Sequence, residues 1–535
     1  RVQNKSLNFI VRVAGADAFG RDVSLAVVPV PRSLPRVIAL PKEVSGVGGD
    51  FVLLSALVRA HMSLLLPGLE LESIHAFRVT RNSDIEVDEE EVDNLLKALA
   101  GQLSRRRFLF PVRLEVAEGT PPELEQYLLD NFELEAQDLY RVREPLNLHR
   151  LVALVERVPR ADLKFRAFAA GVPTALREGE DLFAAVRKAD RLLHHPYESF
   201  DPVVRMLEQA AADPAVLAIK IALYRVGADS PVVAALARAA RARKEVTAVV
   251  ELRARFDEEA NIDLANLLQE AGASVVYGVV GYKMHAKMLL IVRRESKRLR
   301  RYVHLGTGNY HIGTARAYTD LGLLTADPEI CEDVHHLFLQ ITGLGRAPKL
   351  HKLVQSPMSL YARLIDWIEF EAREAAAGRP ARLIAKMNSL SDQGIIQALY
   401  RASQAGAQAD LIVRGICRLR PGVPGVSENL RVRSLVGRFL EHARVFYFHH
   451  GGSPLLYASS ADWMERNLHN RVEVCFPIEQ RGHVQRILEE ILEAQLKDSV
   501  QAWELGTDGG YRRVLSTEGE PFSAQRAALA QHARL

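Results

Sequence analysis

The part of the chain after residue 170 contains one pattern of apolar strands and helices twice. In the first copy, the strands Val216–Leu223 and Val246–Leu252 flank a helix that begins at Pro231, the first helical position that proline favours. In the second copy, Leu383–Met387 and Ala409–Val413 flank a helical segment in the same way. Apolar strands that alternate with helices predict a buried sheet flanked by helices. The repeat therefore predicts two related α/β domains that share a cleft.

A histidine followed two positions later by a cation opens one strand-like run in each copy. The first pair is His285 and Lys287, and the second is His442 and Arg444, each with an alanine between them. Positions i and i+2 of a strand face the same way, so we expect each histidine to share a face with its cation. A single strand histidine is usually a buried or edge residue, but two in the same context indicate a duplicated half-site. A nucleophilic imidazole beside a fixed positive charge is typical of phosphoryl chemistry.

Length and the repeat together predict the domain organisation. At about 100–200 residues per domain, the 535 residues suffice for three or four domains. We predict an α/β protein with a head domain of α+β type at residues 1–170. Two related α/β domains are expected to follow at 171–352 and 353–535, each a mixed sheet flanked by helices.

The composition excludes several classes of protein. The 69 basic and 66 acidic residues give a net charge of +3, too little for wholesale attraction to nucleic acid or to a membrane surface. Any polyanion therefore has to be bound by a local cluster. The sequence has no run of 18 apolar residues, so we expect no membrane span. The three widely spaced cysteines argue against a disulfide framework or a thiolate metal site and favour a reducing, cytoplasmic location.

Two further segments carry weaker signals. Arg293–Arg301 contains six cations between two strand-like runs, and its simplest interpretation is a solvated hairpin loop. The alternative is a rim that attracts a polyanion, in which case the chain is a non-catalytic binding protein. The polar, Gly- and Ala-rich segment Leu505–Leu535 is expected to be a variable tail.

The two half-sites resemble the paired His-x-Lys motifs of the phospholipase D superfamily. The hydrolase motif of that superfamily has an aspartate five positions after its lysine. In this chain that position holds Val292 in the first copy, and the position five after Arg444 holds His449. The departure disfavours ordinary diester hydrolysis, and a phospholipase D-like phosphodiesterase or nuclease is kept as the alternative function.

Longer blocks are similar to the polyphosphate kinase family of the first type. They follow the family's order with nearly unbroken spacing, most densely over about 190–480 and more loosely over the first 170 residues. The blocks are His194–Phe200, Leu223–Arg225, Val250–Asn261, His304–Tyr310, Thr314–Asp320, Leu411–Gly415 and Ser459–Trp463. The resemblance implies an enzyme that moves the γ-phosphoryl group of ATP reversibly onto inorganic polyphosphate through a phosphohistidine.

The same resemblance implies roles for the two half-sites. His285 matches the phosphorylated nucleophile, which has to be neutral, and neighbouring cations favour the neutral imidazole. His442 matches the second essential histidine, which contacts the nucleotide phosphates or acts as acid or base on the oxygen that leaves or attacks. Lys287 and Arg444 are expected to clamp phosphate oxygens.

Further positions match binding residues of the family. Tyr318 and Arg414 match its ATP-binding residues, since an aromatic ring can stack on a base and a guanidinium can fork onto phosphate. Small-residue turns follow both half-sites, and Asn309 and Ser460 in these turns are expected to donate to phosphate oxygens. Asn309 and Asn467 follow the two histidines by 24 and 25 residues, which indicates that they correspond.

Arg225 and Arg255 match two positions that the family associates with Mg2+. A guanidinium has no lone pair to give and stays protonated, whereas Mg2+ prefers oxygen ligands and water. We therefore interpret both arginines as gripping phosphates of ATP or ADP whose other oxygens hold the metal. The acidic run Asp257–Glu259 either supplies an oxygen ligand or is a solvated loop.

The resemblance also implies the context in which such a chain works. The family associates, so a homo-oligomer is expected, and peripheral membrane contact is implied by analogy alone. The family carries a helical N-terminal domain that supplies an asparagine to the nucleotide. This chain begins with Arg1 in the region that follows that domain, so we expect the domain to be absent, as if an upstream segment had been removed.

Overall fold

The fold is described from a computed structural model of the chain, over residues 2–16, 20–46, 49–82, 109–226, 230–252, 258–279, 281–343, 349–516 and 519–533. The chain divides into two units, Arg1–Phe165 and Arg166–Leu535, and each is described by itself. The first unit covers most of the predicted head domain, and the second contains both copies of the repeat.

The first unit is built on a sheet that is buried on both faces. Its strands are β1 (Leu7–Ala14), β2 (Leu25–Pro29), β3 (Val37–Ala39), β4 (Phe51–Leu53), β5 (Glu70–Arg81), β6 (Pro111–Ala117) and β7 (Leu139–Val142). Five of them form one sheet in the order β2-β1-β5-β6-β7, and β3 pairs with β4. Successive side chains of a strand point to opposite faces, so Phe9 and Val11 join one hydrophobic cluster and Ile10 joins another.

Short helices complete the first unit. Among the described residues they are α1 (Lys42–Ser45), α2 (Leu54–Ala60), α3 (Met62–Leu65), α4 (Pro122–Phe132) and α5 (Val152–Arg157). Helix α4 begins with Pro122 and buries Leu124 and Leu128 in the same cluster as Ile10. The mostly antiparallel sheet with helices packed on it confirms the α+β class predicted for the head.

In the described part of the second unit, one order of eight strands occurs twice. The first copy comprises β8 (Arg191–His195), β9 (Val216–Leu223), β10 (Glu245–Val250), β11 (Ser274–Tyr277), β12 (Lys283–Met284), β13 (Met288–Glu295), β14 (Arg298–Gly306) and β15 (Tyr318–Thr325). The second copy comprises β16 (Val354–Ser356), β17 (Arg382–Met387), β18 (Gln408–Val413), β19 (Leu430–Leu435), β20 (Leu440–Glu441), β21 (Arg444–Phe448), β22 (Leu455–Ser459) and β23 (Arg471–Pro477). The hairpin of β24 (Ala502–Leu505) and β25 (Tyr511–Arg513) follows.

Each copy builds one sheet, but the two copies exchange a strand. The first sheet runs β11-β10-β9-β13-β14-β15, with β8 and β20 both paired to β15. The second runs β23-β22-β21-β17-β18-β19-β24-β25, with β16 and β12 both paired to β23. Strand β20 of the second copy therefore completes the first sheet, and β12 of the first copy completes the second. Both sheets mix parallel and antiparallel pairs, as predicted.

Helices flank both sheets of the second unit. They are α6 (Leu182–Lys188), α7 (Asp201–Ala212), α8 (Pro231–Arg241), α9 (Glu258–Glu270), α10 (Ile312–Ala315), α11 (Pro328–Ile341), α12 (Leu360–Ala376), α13 (Gln393–Gln404), α14 (Glu465–His469), α15 (Arg481–Arg486), α16 (Ala494–Lys497) and α17 (Ala524–His532). A π-helical segment, Ile487–Glu493, joins α15 to α16. Asp392 caps α13, because its carboxylate accepts from the backbone N–H of Ile395 at 2.9 Å. None of the described helices combines the length and apolar character needed to cross a membrane.

One hydrophobic cluster runs through both copies of the repeat. It contains Leu290 and Phe338 from the first copy and Val445 and Phe476 from the second, each at most 1% exposed. Burial of apolar surface is the main favourable contribution to folding, so the two copies are held together by one continuous core. These observations confirm the predicted fold class, in which an α+β head precedes two related α/β domains with mixed sheets flanked by helices.

The prediction of a variable tail at Leu505–Leu535 is wrong for most of that segment. Strand β25 pairs with β24 and extends the second sheet. Helix α17 follows, and its residues Gln525 and Leu529 are 3% and 6% exposed. The low hydrophobicity of the segment concealed this role, because several of its buried contacts are polar rather than apolar.

The basic segment Arg293–Arg301 forms the hairpin of β13 and β14. Three of its six cations lie beside carboxylates, and two of these distances are 2.7 Å from Arg293 to Asp213 and 2.9 Å from Arg300 to Glu295. Arg301 likewise pairs with a glutamate of α11. The hairpin interpretation therefore holds, and half of the six cations are engaged in ion pairs.

Candidate active site

The two predicted half-sites lie at the ends of the exchanged strands. His285 follows β12 directly, and its backbone N–H donates to the carbonyl oxygen of Val472 at 3.0 Å. His442 follows β20, and its N–H donates to the carbonyl oxygen of Thr319 at 3.2 Å. Neither histidine belongs to a strand, contrary to the prediction, because β13 and β21 begin only after them. Each histidine is therefore anchored to the sheet of the other copy.

Glu473 on β23 fixes the orientation of His285. The imidazole Nδ1 lies 2.8 Å from Glu473 Oε2, and the two side chains are 10% and 0% exposed. Ser460 Oγ donates to the same oxygen, and Asn467 Nδ2 donates to Glu473 Oε1 at 2.6 Å. Because a carboxylate accepts, Nδ1 carries the proton and Nε2 keeps its lone pair. Within the described part of the chain, no group forms a hydrogen bond with this Nε2.

Asp320 on β15 holds His442 in a similar way. Nδ1 of His442 lies 2.9 Å from both carboxylate oxygens, and Thr307 Oγ1 donates to Asp320 Oδ1 at 2.6 Å. The surroundings of Nε2 differ, because Arg444 Nη1 lies 3.1 Å from Nε2 of His442. Both histidines therefore bind a carboxylate through Nδ1. They differ at Nε2, which contacts an arginine in His442 but has no hydrogen-bond partner among the described residues in His285.

Burial keeps both imidazoles neutral. It lowers the pKa of His285 well below its ordinary value, and the Lys287 and Arg471 cations add to this effect. Burial also lowers the pKa of His442, although the Asp320 carboxylate opposes it. A neutral imidazole with a free lone pair is a nucleophile, and His285 meets both conditions.

Lys287 is buried beside His285. Its Nζ donates to the carbonyl oxygen of His285 and lies 5.3 Å from the centre of the Tyr224 ring. The same ring meets the His285 imidazole edge-on at 4.8 Å. Burial lowers the pKa of Lys287 to about 7, although the nearby Glu473 carboxylate favours the charged form. A bound anion would favour the charged form further, so this cation responds to what occupies the site.

Arg444 forms a buried, two-pronged ion pair with Asp462. Nε lies 3.2 Å from Oδ1, and Nη2 lies 3.0 Å from Oδ2. Asn388 extends the network, since its Nδ2 donates to Asp462 Oδ1 at 3.1 Å. Arg414 Nη2 in turn donates to Asn388 Oδ1 at 2.8 Å. A chain of hydrogen bonds therefore connects the second half-site with Arg414, which sequence comparison associated with the nucleotide.

Tyr318 lies on the same side as Arg414. Its half-buried ring begins β15, and the ring centre is 5.3 Å from the centre of the His442 imidazole. Burial lowers the pKa of Arg414, and the charges that act on it include those of Arg444 and Asp462. The structure therefore brings both predicted nucleotide residues to the half-site of His442.

The two copies correspond in a different register from the predicted one. Strands β14 and β22 end one residue before Thr307 and Ser460, which makes these hydroxyl residues counterparts. By the same count Asn309 corresponds to Asp462, so the predicted correspondence of Asn309 with Asn467 is wrong. Ser460 is buried and donates to a carboxylate. Among the described residues, the buried side-chain oxygen of Asn309 has no hydrogen-bond partner.

The predicted magnesium positions are described only in part. Arg225 follows β9, with its guanidinium 5.5 Å from the centre of a neighbouring tyrosine ring, whereas Arg255 and Asp257 lie outside the described residues. Across the described ranges, no group of three His, Cys, Asp or Glu side chains is arranged to hold a metal ion. The buried carboxylates of the half-sites are engaged by histidine, arginine and hydroxyl donors. The described side chains therefore do not fit a metal site built from the protein alone.

The carboxylates that complete the half-sites were not predicted from the sequence. Asp320 and Glu473 are the third residues of β15 and β23, so an alignment of the two copies would have paired them. Asp462 lies in the same turn as Ser460, which was predicted to donate to phosphate oxygens. Arg471, which contributes positive charge next to His285, carried no signal beyond its place in a strand.

Three family models match the chain over most of its length. The model for the polyphosphate kinase middle domain matches residues 1–154. The models for polyphosphate kinase C-terminal domains 1 and 2 match residues 181–347 and 353–525. Each of the two C-terminal matches contains one of the half-sites.

Individual proteins are similar over the same range. A polyphosphate kinase of Pseudomonas aeruginosa is 54% identical over 527 residues, which are 98% of this chain and 76% of that protein. A polyphosphate kinase of Xylella fastidiosa is 54% identical over 531 residues, 99% of this chain and 76% of that protein. The crystal structure of polyphosphate kinase from Porphyromonas gingivalis has a TM-score of 0.84 at 31% identity and covers 99% of this chain and 78% of that one.

Proposed function

Because this chain belongs to the polyphosphate kinase family, we propose that it transfers the γ-phosphoryl group of ATP reversibly to the end of an inorganic polyphosphate chain through a phosphohistidine. The observation that carries the mechanism is the asymmetry of the two histidines. Nε2 of His442 accepts from Arg444, whereas Nε2 of His285 has no hydrogen bond among the described residues. We therefore assign the role of nucleophile to His285.

Two displacements at one phosphorus complete the transfer. First, the Nε2 lone pair of His285 attacks the γ-phosphorus, the bond from phosphorus to the β-phosphate oxygen breaks, and ADP leaves with that electron pair. Then a terminal oxygen of polyphosphate attacks the same phosphorus, the N–P bond breaks, and the neutral imidazole is restored. Glu473 holds the Nδ1 proton and stabilises positive charge that develops on the ring, and Ser460 holds Glu473 in place. Both steps are reversible, so the same site would also make ATP.

The second half-site acts as acid or base on the oxygen that leaves or attacks. With the Nδ1 proton of neutral His442 held by Asp320, the lone pair of Nε2 takes a proton from an attacking oxygen, and the protonated ring gives one to a leaving oxygen. Lys287 and Arg444 bind the phosphate oxygens. They stabilise the negative charge that is spread over these oxygens in the transition state. The amide oxygen of Asn309 is buried without a hydrogen-bond partner among the described residues. The orientation of this amide group is therefore open to bound substrate.

Tyr318 and Arg414 are the proposed nucleotide residues, with the ring against the base and the guanidinium against phosphate. Their place beside His442 would bring the departing ADP next to the histidine that exchanges its proton. We propose that Mg2+ arrives with ATP, since this ion commonly keeps phosphate and water ligands. Arg225 and Arg255 would then grip phosphate groups that hold the metal.

Three features of the wider context belong to the same proposal. They are domain boundaries near residues 170 and 352, a location in the cytoplasm and association into a homo-oligomer. The gaps between the family-model matches, at 154–181 and 347–353, support the boundaries.

A labelling experiment tests the phosphohistidine. The protein is incubated with Mg2+ and γ-labelled ATP, and acid-labile, base-stable label is sought on the polypeptide. We expect label on the wild type that passes to added polyphosphate, and none on His285→Ala. The control is His336→Ala, since His336 is a half-buried residue of α11 that pairs with Glu332.

The outcomes separate the candidate functions. Absence of label from the wild type, or label that survives His285→Ala, would contradict the proposed mechanism. Turnover of phosphodiester substrates without transfer from ATP would instead support a phospholipase D-like hydrolase.

A further inference from the structure

A buried polar cluster lies directly behind His442. Its centre is Glu441, the last residue of β20, which is 2% exposed. Four side chains donate to its carboxylate: Lys386 Nζ at 2.6 Å, Thr319 Oγ1 at 2.8 Å, Gln495 Nε2 at 2.9 Å and Gln525 Nε2 at 2.7 Å. A buried charge that is paired and accepts four hydrogen bonds is restricted to one position.

The first half-site has an apolar side chain at the corresponding position, although the backbone N–H of that residue donates to the buried Glu251 carboxylate at 2.6 Å. Met284, the residue before His285, is the counterpart of Glu441, and Val472 on β23 is the counterpart of Thr319 on β15. Met284 and Val472 both belong to the hydrophobic cluster shared by the two copies. Apolar packing has no preferred direction, whereas each hydrogen bond requires a particular distance and angle. Among the described residues, a carboxylate directly before the histidine that accepts from four side chains is therefore particular to the second half-site.

The cluster ties the C-terminal helix α17 to strand β20. Gln525 lies in the first turn of α17, where its Oε1 accepts from the N–H of Phe439 at 3.0 Å. Its Nε2 donates to the carbonyl oxygen of Phe439 at 2.9 Å and also to Glu441. Since β20 leads directly into His442, a shift of this strand moves the imidazole.

We propose that Glu441 and Gln525 are positioning residues for His442, and that α17 is therefore part of the framework of the active site. The proposal rests on the function proposed above, in which His442 exchanges a proton with the departing or attacking oxygen. Thr319 supports it from a second direction, because its backbone oxygen accepts the N–H of His442 and its neighbour in sequence is Asp320. The cluster thus positions both members of the histidine–aspartate pair.

The substitution Gln525→Leu tests the proposal, since leucine has a similar volume and removes all three hydrogen bonds of this amide. The matched control is Gln531→Leu on the same helix, where the amide donates to Glu490 at an exposed position. Gln495→Met is a second variant that removes one donor to Glu441 and leaves α17 unchanged. The measurements are thermal unfolding, kcat and KM for ATP, and the final amount of label on His285.

We expect folded Gln525→Leu to lose at least about tenfold in kcat, because misplacing a catalytic group by a fraction of an ångström to an ångström has effects of this size. Its KM for ATP should stay within about twofold of the wild type, and its final label on His285 should be unchanged. Gln495→Met should show a smaller loss of the same kind, and Gln531→Leu none.

A folded Gln525→Leu variant with wild-type kcat, or an equal loss in Gln531→Leu, would overturn the positioning role. If Gln525→Leu does not fold, Gln495→Met decides by the same readouts, and wild-type kcat in that variant would overturn the role. Absence of label from the wild type would refute the phosphohistidine instead, while the kcat values would still decide whether the cluster positions the site.

Discussion

Nδ1 of His285 lies 2.8 Å from Oε2 of Glu473, a carboxylate that belongs to the other copy of the repeat. The reverse relationship also holds, since His442 of the second copy is bound to Asp320 of the first. Each half-site is thus assembled from both copies. A single copy would have a histidine without the carboxylate that fixes its tautomer, and the continuous core shared by the two copies keeps both parts of each half-site together.

The first prediction concerns that carboxylate. Glu473→Gln keeps the shape of the side chain but allows the wrong imidazole tautomer, and we expect kcat to fall by at least about 100-fold, on the precedent of buried carboxylates in catalytic triads. KM for ATP should change much less, because the substitution leaves the proposed nucleotide residues in place. Steady-state kinetics with ATP and polyphosphate check this.

The control for this substitution is Glu479→Gln, a half-exposed glutamate just after β23 that pairs with Lys352. It should leave kcat unchanged. Wild-type kcat in Glu473→Gln would show that the carboxylate is dispensable.

The second prediction concerns pH. The pKa of Lys287 is lowered by burial to about 7, so its charge is lost as the pH rises through that value. The pKa of His285 is lowered well below its ordinary value, so the nucleophile stays neutral on the acid side. We therefore expect kcat/KM for ATP, which reports on the free enzyme, to fall above about pH 7.

Lys287→Arg should remove this alkaline limb, because a guanidinium stays charged throughout the range. Lys352→Arg, at a lysine held by Asp327 and Glu479, is the matched control and should keep the limb. A wild-type profile that is flat from pH 6 to 9, or a limb that persists in Lys287→Arg, would argue against the assignment.

The third prediction concerns a close approach behind His442. A Cβ placed on Gly308 would lie 2.2 Å from Asp320 Oδ2, so Gly308→Ala has to push the carboxylate away from the imidazole. We expect the transfer rate to fall at least about tenfold. Gly482→Ala, where a Cβ meets nothing within 4 Å, is the control, and comparable rates in the two variants would contradict the prediction.

The fourth prediction concerns stability. Arg444→Met leaves the buried Asp462 without its cation, and the loss of one partner of a buried ion pair costs about 3–5 kcal/mol of unfolding free energy. Arg401→Met removes a partner from the exposed pair with Glu369, which should cost less than about 1 kcal/mol. Urea unfolding measures both, and equal effects would show that the Arg444 pair is not held as a buried interaction.

Several parts of the fold could be predicted from the sequence because their signals are local. Strand β9 was predicted with its observed bounds, Val216–Leu223, since a continuous apolar run between turn residues has few alternatives. The cations two positions after His285 and His442 also contact their histidines, Lys287 at the backbone carbonyl oxygen and Arg444 at the ring. These features involve residues that are close in sequence, so they can be predicted without knowledge of long-range contacts.

The carboxylates of the half-sites could not be predicted from local sequence signals. Glu473 follows His285 by 188 residues, and Asp320 precedes His442 by 122. Nothing local distinguishes them from other acidic residues in strands. The spacing of the asparagines is misleading, because the strands of the first hairpin, β13 and β14, are longer than β21 and β22 and shift the register of the copies.

The repeated α/β units, the two histidines with their cations and the resemblance to a family all follow from the amino-acid sequence alone. The tertiary structure decided which carboxylate holds each histidine, which Nε2 is free and why the halves differ, with Glu441 behind one and Met284 behind the other. The physical reason is the exchange of β12 and β20. Each short strand satisfies its backbone hydrogen bonds in the sheet of the other copy, and this pairing, set by long-range contacts, brings the distant side chains together.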